Sequence, residues 1–260
     1  MCRHVAFVGA ETAIGELLVA PPHGLLRQSW APRRQRYGTV NADGFGVGWY
    51  APGDPVPARY RRAGPVWGDR SFADLARVVR TGALLAAVRD ATEPGADGEA
   101  AAAPYASGPW LFSHNGAVTD WPRSVASQAT ALPAAELLSM EARCDSALLW
   151  ALVLHRLRDG DGLGDSLAYT VPEVARAAPG SRLNLLLTDG VTIAATAWGD
   201  TLWYLAEPGR PGLPRSPSGR VVVASEPYDD DPHWREVPDR TLLVATRTDV
   251  LLTPLKEPPA

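Results

Sequence analysis

The chain has 260 residues, 46% of them hydrophobic and 21% charged, with a net charge of −4. This is the make-up of a folded chain with a full core, and it offers no global basic field for nucleic acid. Two cysteines, Cys2 and Cys144, exclude a disulfide framework and any C-x-x-C redox or zinc pattern, and no stretch approaches the ~20 apolar residues that span a bilayer. The expectation is a soluble, cytoplasmic protein without a membrane anchor. The length suits one large domain or two small ones, and 24 Gly with 24 Pro favour turns over long helices.

The chain opens Met1-Cys2-Arg3-His4. A start methionine before a small side chain is normally trimmed, which leaves Cys2 with a thiol and a free α-amine in reach of each other. A free thiol titrates near ~8.5 and an α-amine near ~7.7–8.0, so at neutral pH the amine is partly neutral and able to take the thiol's proton. A nucleophile activated by a terminal amine is an established scheme; the alternative is a frayed terminus of no consequence.

Val5–Gly9 reads as a buried strand leading away from Cys2, followed by short helical pieces around Ile14–Val19 and His23–Ser29, split by Pro21-Pro22. Trp30 stands in a turn-rich loop beside the basic run Arg33-Arg34-Gln35-Arg36; this run and Arg59-Tyr60-Arg61-Arg62 read as solvated faces or anion contacts. Asn41-Ala42-Asp43-Gly44 gives a tight turn. In the following strand Gly46 and Gly48 leave one face bare, open to a ligand or to close backbone packing. Ala58–Ala63 pairs with it, and Ser71 caps a helix over Phe72–Thr81 that Gly82 ends.

Leu84–Val88 is a strand that runs into Arg89, where a guanidinium can grip a carboxylate with two parallel hydrogen bonds or make a strand-end ion pair. Trp110–Phe112 is a strand ending in Ser113-His114-Asn115-Gly116. Asn-Gly is a hairpin-turn signal, while an Asn amide beside a Gly N–H is also the material of an oxyanion hole. A short helix over Ala134–Ala142 precedes Cys144-Asp145-Ser146, which opens the most apolar helix, Ala147–Leu157. Asp145 is placed to cap that helix or to meet a substrate ammonium, and Cys144 reads as a small buried side chain. Arg182–Thr188 and Val191–Ala197 form a hairpin through Asp189-Gly190, and Thr201–Ala206, Val221–Ser225 and Thr241–Leu252 continue as strand. Arg210–Gly219 is a surface loop. Strands throughout, with helices mainly in the first two-thirds, indicate one domain of stacked sheets with outer helices.

Taken together, Cys2, Asn41-Ala42-Asp43-Gly44, Arg89 with Thr92, His114-Asn115-Gly116 and Cys144-Asp145-Ser146 resemble the class II glutamine amidotransferases, a family of N-terminal-nucleophile hydrolases, along roughly the whole chain. Met1-Cys2-Arg3-His4, the loop Gln28 to Gln35 and Val223-Ala224-Ser225-Glu226-Pro227-Tyr228 are most similar to the branch that hydrolyses γ-glutamyl-hercynylcysteine sulfoxide in ergothioneine biosynthesis. The resemblance implies an α+β fold, a four-layer αββα sandwich of antiparallel sheets, over residues 1–260. It implies Cys2 as nucleophile with its own α-amine as base, and Asn115 and Gly116 as oxyanion hole. Arg89 and Thr92 would hold the α-carboxylate, Asp145 the α-ammonium, and His114 and Gly44 would line the site. Asp90 departs from the family pattern after the arginine.

No cofactor and no metal are expected. The expected partner is a small γ-glutamyl substrate, with neither nucleic acid nor membrane, and self-association is left open. The chain leaves no length for a fused synthase, so three readings stand: a free-standing γ-glutamyl amidohydrolase, a glutaminase subunit feeding a separate synthase, and a non-catalytic γ-glutamyl-binding protein. The first takes the loop of Trp30, Arg33, Arg34 and Arg36 as the holder of a larger zwitterionic leaving group.

Overall fold

A computed structural model describes residues 2–91, 98–207 and 219–256. Thr92 and nearly all of the Arg210–Gly219 loop lie outside the described residues. The strands are β1 (Arg3–Ala13), β2 (Phe45–Trp49), β3 (Ala58–Arg62), β4 (Arg80–Val88), β5 (Tyr105–Ser107), β6 (Trp110–Ala117), β7 (Arg182–Thr188), β8 (Ile193–Ala197), β9 (Trp203–Glu207), β10 (Arg220–Ala224), β11 (Arg235–Glu236), β12 (Thr241–Ala245) and β13 (Val250–Pro254). The helices are α1 (Ile14–Leu18), α2 (Leu25–Gln28), α3 (Arg70–Val78), α4 (Ala126–Thr130), α5 (Ala134–Leu138), α6 (Asp145–Arg158) and α7 (Leu163–Ala177).

The strands form two sheets, in the orders β11-β9-β10-β1-β4-β2-β3 and β13-β12-β8-β7-β6-β5. Every strand pair is antiparallel. Alternation along each strand divides the apolar residues into three cores. Val5 and Phe7 of β1 pack with Leu84 and Ala86 of β4 against Ile14, Leu17, Phe72 and Ala76 of the first helix layer. Ala6 and Val8 turn the other way, onto Leu111, Leu186 and Ala195 of the second sheet. That sheet's outer face, with Phe112, Leu183 and Leu185, is covered by Leu149 and Val153 of α6 and Leu167 and Val171 of α7. The result is the expected αββα sandwich.

The bare face of β2 serves packing. A side chain at Gly46 would run into the Ala103 carbonyl, and one at Gly48 would meet Leu111 at 2.7 Å.

Several local readings are corrected. Helix α3 starts at Arg70 and is capped by Asp69, whose side chain accepts from the Phe72 N–H at 3.1 Å, rather than by Ser71. It ends at Val78, and Gly82 lies inside β4, because pairing with β1 outweighs glycine's stop signal. The span Thr241–Leu252 is a hairpin, β12 and β13, closed by the Thr246 N–H to the Asp249 carbonyl at 2.9 Å. Helix α5 ends at Leu138, short of Ala142. Helix α7 is a 15-residue element that the sequence reading leaves unassigned. Pro172 interrupts its pattern as a helix breaker, yet Leu167, Val171 and Val174, at i, i+4 and i+7, are buried on one face.

Candidate active site

Strand register assembles the site. In the β1–β4 ladder Arg3 pairs with Val88, so Cys2, one residue before Arg3, stands beside Arg89, one residue after Val88. Across the gap between the sheets, His4 Nδ1 lies 3.2 Å from Ser113 Oγ on β6. Side chains two residues along from these, at Cys2 and Asn115, therefore fall on the same inter-sheet faces. Ser113-His114-Asn115-Gly116 is not a turn. It is strand, with Asn115 opposite Asn184 and Gly116 opposite Leu183 on β7. Partners on β7 supply the ladder bonds that the local Asn-Gly preference cannot outweigh.

The strand ends open into a cleft of about 330 Å³, lined in part by Cys2, Arg89, Gly116 and Asp145. Asn115 is fully buried behind it, and neither its Oδ1 nor its Nδ2 has a hydrogen-bond partner among the described residues. An amide left unpaired in a protein interior costs stability and is pre-set to donate to whatever enters. No side chain fits at Gly116, where a Cβ would run into the Arg182 carbonyl.

Burial pushes the Cys2 thiol up from its ordinary value. The Asp90 backbone N–H bonded to the sulfur and the Arg89 charge pull it back down, and Asp145 adds to the rise. Arg89 is fixed by its own backbone, its N–H donating to the Gly44 carbonyl at 2.8 Å, and by Nη1 donating to the Asp43 carbonyl at 3.2 Å. The Asp43 carboxylate in turn accepts from the Ala91 N–H at 2.8 Å, so the turn Asn41 to Gly44 is a brace for the arginine. Asp145 is the first residue of α6 and not its cap; the cap position is Cys144, whose side chain makes no cap bond. The Asp145 carboxylate accepts from the Ser146 N–H at 2.7 Å and the Val118 N–H at 3.0 Å, which fixes its aim at the cleft. A bound carboxylate and a bound ammonium can thus be held by Arg89 and Asp145 around the thiol.

Other expected residues take different places. His114 is buried on the opposite face of β6 and does not line the cleft. Its Nε2 donates to the Arg182 carbonyl at 3.0 Å, so Nδ1 accepts from the Ser146 hydroxyl at 2.9 Å, which ties β6 to the start of α6. Gly44 also lies outside the cleft lining and reaches it only through Arg89. Trp30 is absent from the cleft and packs edge-on against Trp67 at 5.8 Å, with Arg27 over its ring. Arg33 and Arg34 turn their backbone N–H groups to the Glu226 carboxylate at 2.9 and 2.7 Å, and Arg33 also pairs with Asp230 at 3.0 Å.

Cys144 is half-buried, lines the cleft and lies 3.3 Å from the Tyr105 hydroxyl, so it is not a plain core residue. Asp120, Trp121 and Arg143 line the cleft too, and sequence reasoning missed all three, since no local motif marks them. Among the described residues no group of three or more His, Cys, Asp or Glu side chains is placed to hold a metal ion, and no helix is long and apolar enough to cross a membrane.

Comparison with known proteins bears on the family and the fold. The γ-glutamyl-hercynylcysteine sulfoxide hydrolase of Mycolicibacterium smegmatis is 44% identical over 255 residues, 98% of this chain and 100% of that protein. Among solved structures, a glutamine aminotransferase class-II domain protein from Silicibacter pomeroyi superposes with a TM-score of 0.66 at 23% identity, covering 98% of this chain and 100% of that one. The glutamine phosphoribosylpyrophosphate amidotransferase of B. subtilis gives 0.65 at 16% identity over 98% of this chain and 49% of its own. The family model for class-II glutamine amidotransferases matches residues 25–209, well over half of the chain. With a paired-sheet sandwich, a cysteine at the end of its first strand and likeness along nearly its whole length, the chain belongs to the class II glutamine amidotransferases.

Proposed function

We propose that this chain, acting as a single unit over residues 1–260, hydrolyses γ-glutamyl-hercynylcysteine sulfoxide to glutamate and hercynylcysteine sulfoxide, a step of ergothioneine biosynthesis. The observation that carries the reading is the 44% identity to a hydrolase of that name over almost the full length of both chains. The cleft supports it with a thiol placed beside one fixed cation, Arg89, and one fixed anion, Asp145.

In this reading Met1 is removed and Cys2 carries both nucleophile and base. Its neutral α-amine takes the thiol proton, and the thiolate attacks the γ-carbonyl carbon. Negative charge builds on the carbonyl oxygen, where the unpaired Asn115 amide and the Gly116 N–H receive it. Collapse breaks the C–N bond, and the leaving nitrogen takes the proton from the α-ammonium. The same amine then accepts a proton from water, which attacks the γ-glutamyl thioester and releases glutamate and the thiol. Arg89 holds the substrate's α-carboxylate and Asp145 its α-ammonium. His114 keeps Asp145 in place through Ser146, and the Gly44 turn braces Arg89.

The test compares turnover of γ-glutamyl-hercynylcysteine sulfoxide with that of glutamine on protein whose intact mass shows loss of Met1. The expected result is a kcat/KM at least tenfold higher for the sulfoxide. Faster hydrolysis of glutamine makes the chain an ammonia-supplying glutaminase, and binding without turnover makes it a γ-glutamyl-binding protein.

A further inference from the structure

The cleft holds more charge than a γ-glutamyl group uses. Arg89 and Asp145 answer one carboxylate and one ammonium. Asp90 also lines the cleft, with its carboxylate against Gly38, where an added Cβ would meet its Oδ2. Asp120, Trp121 and Arg143 line the cleft as well, and no step of the hydrolysis needs them. Asp120 is exposed, yet its backbone sits at φ +51°, in the left-handed region. Aspartate is among the few non-glycine residues that adopt that conformation readily. The conformation is closed by the Ser124 N–H donating to the Asp120 carbonyl at 3.1 Å, while the Ser124 hydroxyl donates to the Thr119 carbonyl at 2.6 Å. The next residue, Trp121, is half-buried: it packs against the apolar core beneath α6 and α7 and also lines the cleft.

A carboxylate and an indole on consecutive residues, both lining a cleft that would bind a zwitterion, are the pairing that suits a quaternary ammonium. Such a cation has no N–H to donate, so hydrogen-bonding sites do not select it, whereas an aromatic face and a nearby negative charge do. We propose that Asp120 and Trp121 form the subsite for the trimethylammonium of the leaving group, with Arg143 meeting a leaving-group carboxylate. This inference rests on the hydrolase reading above and names the residues that would make the enzyme choose a betaine over a smaller amine. It places the selection on the loop after β6 and not on the Trp30 loop.

The experiment measures kcat/KM for γ-glutamyl-hercynylcysteine sulfoxide and for γ-glutamyl-S-methylcysteine sulfoxide. The second compound keeps the scissile amide, the cysteine carboxylate and the sulfoxide but lacks the betaine. In wild type the first is favoured. In Trp121→Leu and in Asp120→Asn the ratio of the two constants falls at least tenfold, through KM of the betaine compound, and in Trp121→Phe it stays within about threefold of wild type. Variants that lose both activities in equal proportion, or that keep the wild-type ratio, overturn the subsite. A wild-type enzyme that hydrolyses both compounds equally well also overturns it, and leaves the γ-glutamyl hydrolase reading standing. Failure to hydrolyse either compound removes that reading instead, and the subsite with it.

Discussion

Cys2, Asn115 and Gly116 come from the ends of β1 and β6, in ladders whose neighbours are fixed residue by residue, Arg3 against Val88 and Asn115 against Asn184. Asp120 and Trp121, on the other wall of the same cleft, come from a loop, and Arg143 from the segment just before α6. A one-residue slip in either ladder would turn its side chain to the opposite face of the sheet, so the strand wall is held by the whole sandwich. The loop wall is held by a few local bonds and tolerates substitution. Chemistry needs placement to a fraction of an ångström, and the sheets provide it. Selection among leaving groups needs only a surface that can be altered without moving the thiol. Strand-wall substitutions should therefore damage kcat, and rim substitutions KM.

The largest effect is expected at the sulfur itself. Cys2→Ala should lower kcat by at least ~10⁴-fold, in line with removal of a nucleophile elsewhere, while the thermal unfolding midpoint stays within a few degrees of wild type. Turnover near the wild-type rate would place the nucleophile elsewhere. Next comes Asn115→Ala, which removes one donor of a prepared oxyanion site. A loss of ~10²–10³ in kcat with little change in KM is expected, and the buried amide, which has no partner to lose, should leave stability nearly untouched. A KM effect alone would make Asn115 a binding group.

The same two walls explain what could be read from the chain beforehand. Arg89 was legible because an apolar strand, Leu84–Val88, runs straight into it, and its brace was legible as a turn at Asn41 to Gly44, although not as a brace. Asn115-Gly116 was legible chemically and misread structurally, because the turn preference of Asn-Gly is local whereas its partner, β7, lies some seventy residues away in the chain. Asp120, Trp121 and Arg143 carry no spacing or periodicity that marks them, since loop positions answer to a cleft formed by four separate segments. Trp30 erred in the other direction. A large exposed aromatic in a basic loop suggests a ligand, but its nearest aromatic partner is Trp67. Stacked sheets with outer helices were readable from the run of elements and the four-layer sandwich from the resemblance, whereas the strand order was not and α7 was hidden by Pro172.

A third test reaches beneath the strand wall by pH. His4 is fully buried next to Cys2 in sequence, with Nδ1 on Ser113 and Nε2 unpaired. Burial, then the nearby Arg3 and His114 charges, lower its pKa from 6.5 to about 3. The folded state therefore holds a neutral imidazole where the unfolded chain would bind a proton. Its contribution is complete above pH ~6.5 and is lost as pH falls from there toward 3, on the order of 5 kcal/mol over the range. Urea midpoints measured across that interval should fall with acid in wild type and fall less steeply in His4→Gln; equal slopes would show that His4 takes no part. Activity should run the same way at higher pH for a different reason. The α-amine must be neutral to act as base, so kcat/KM should rise about tenfold per unit below pH ~7.5 and level off above ~8.

The smallest effect separates rim from strand wall at a single residue. Arg89 belongs to both: its backbone N–H continues the β4 strand end onto Gly44, while its guanidinium, fixed by the Asp43 carbonyl, faces the cleft. Arg89→Lys keeps the charge and the backbone bond but gives up the planar fork that meets a carboxylate with two parallel N–H groups. If the guanidinium acts only on the substrate's carboxylate, KM should rise about tenfold, near 1.4 kcal/mol by the ordinary affinity scale, with kcat within about threefold. If its charge is also needed to lower the Cys2 thiol, lysine at this position still supplies it. Arg89→Gln should then lose kcat as well as KM. A lysine variant that loses kcat and keeps KM would mean that the arginine's geometry serves the sulfur rather than the substrate, and would move Arg89 from the rim to the reacting centre.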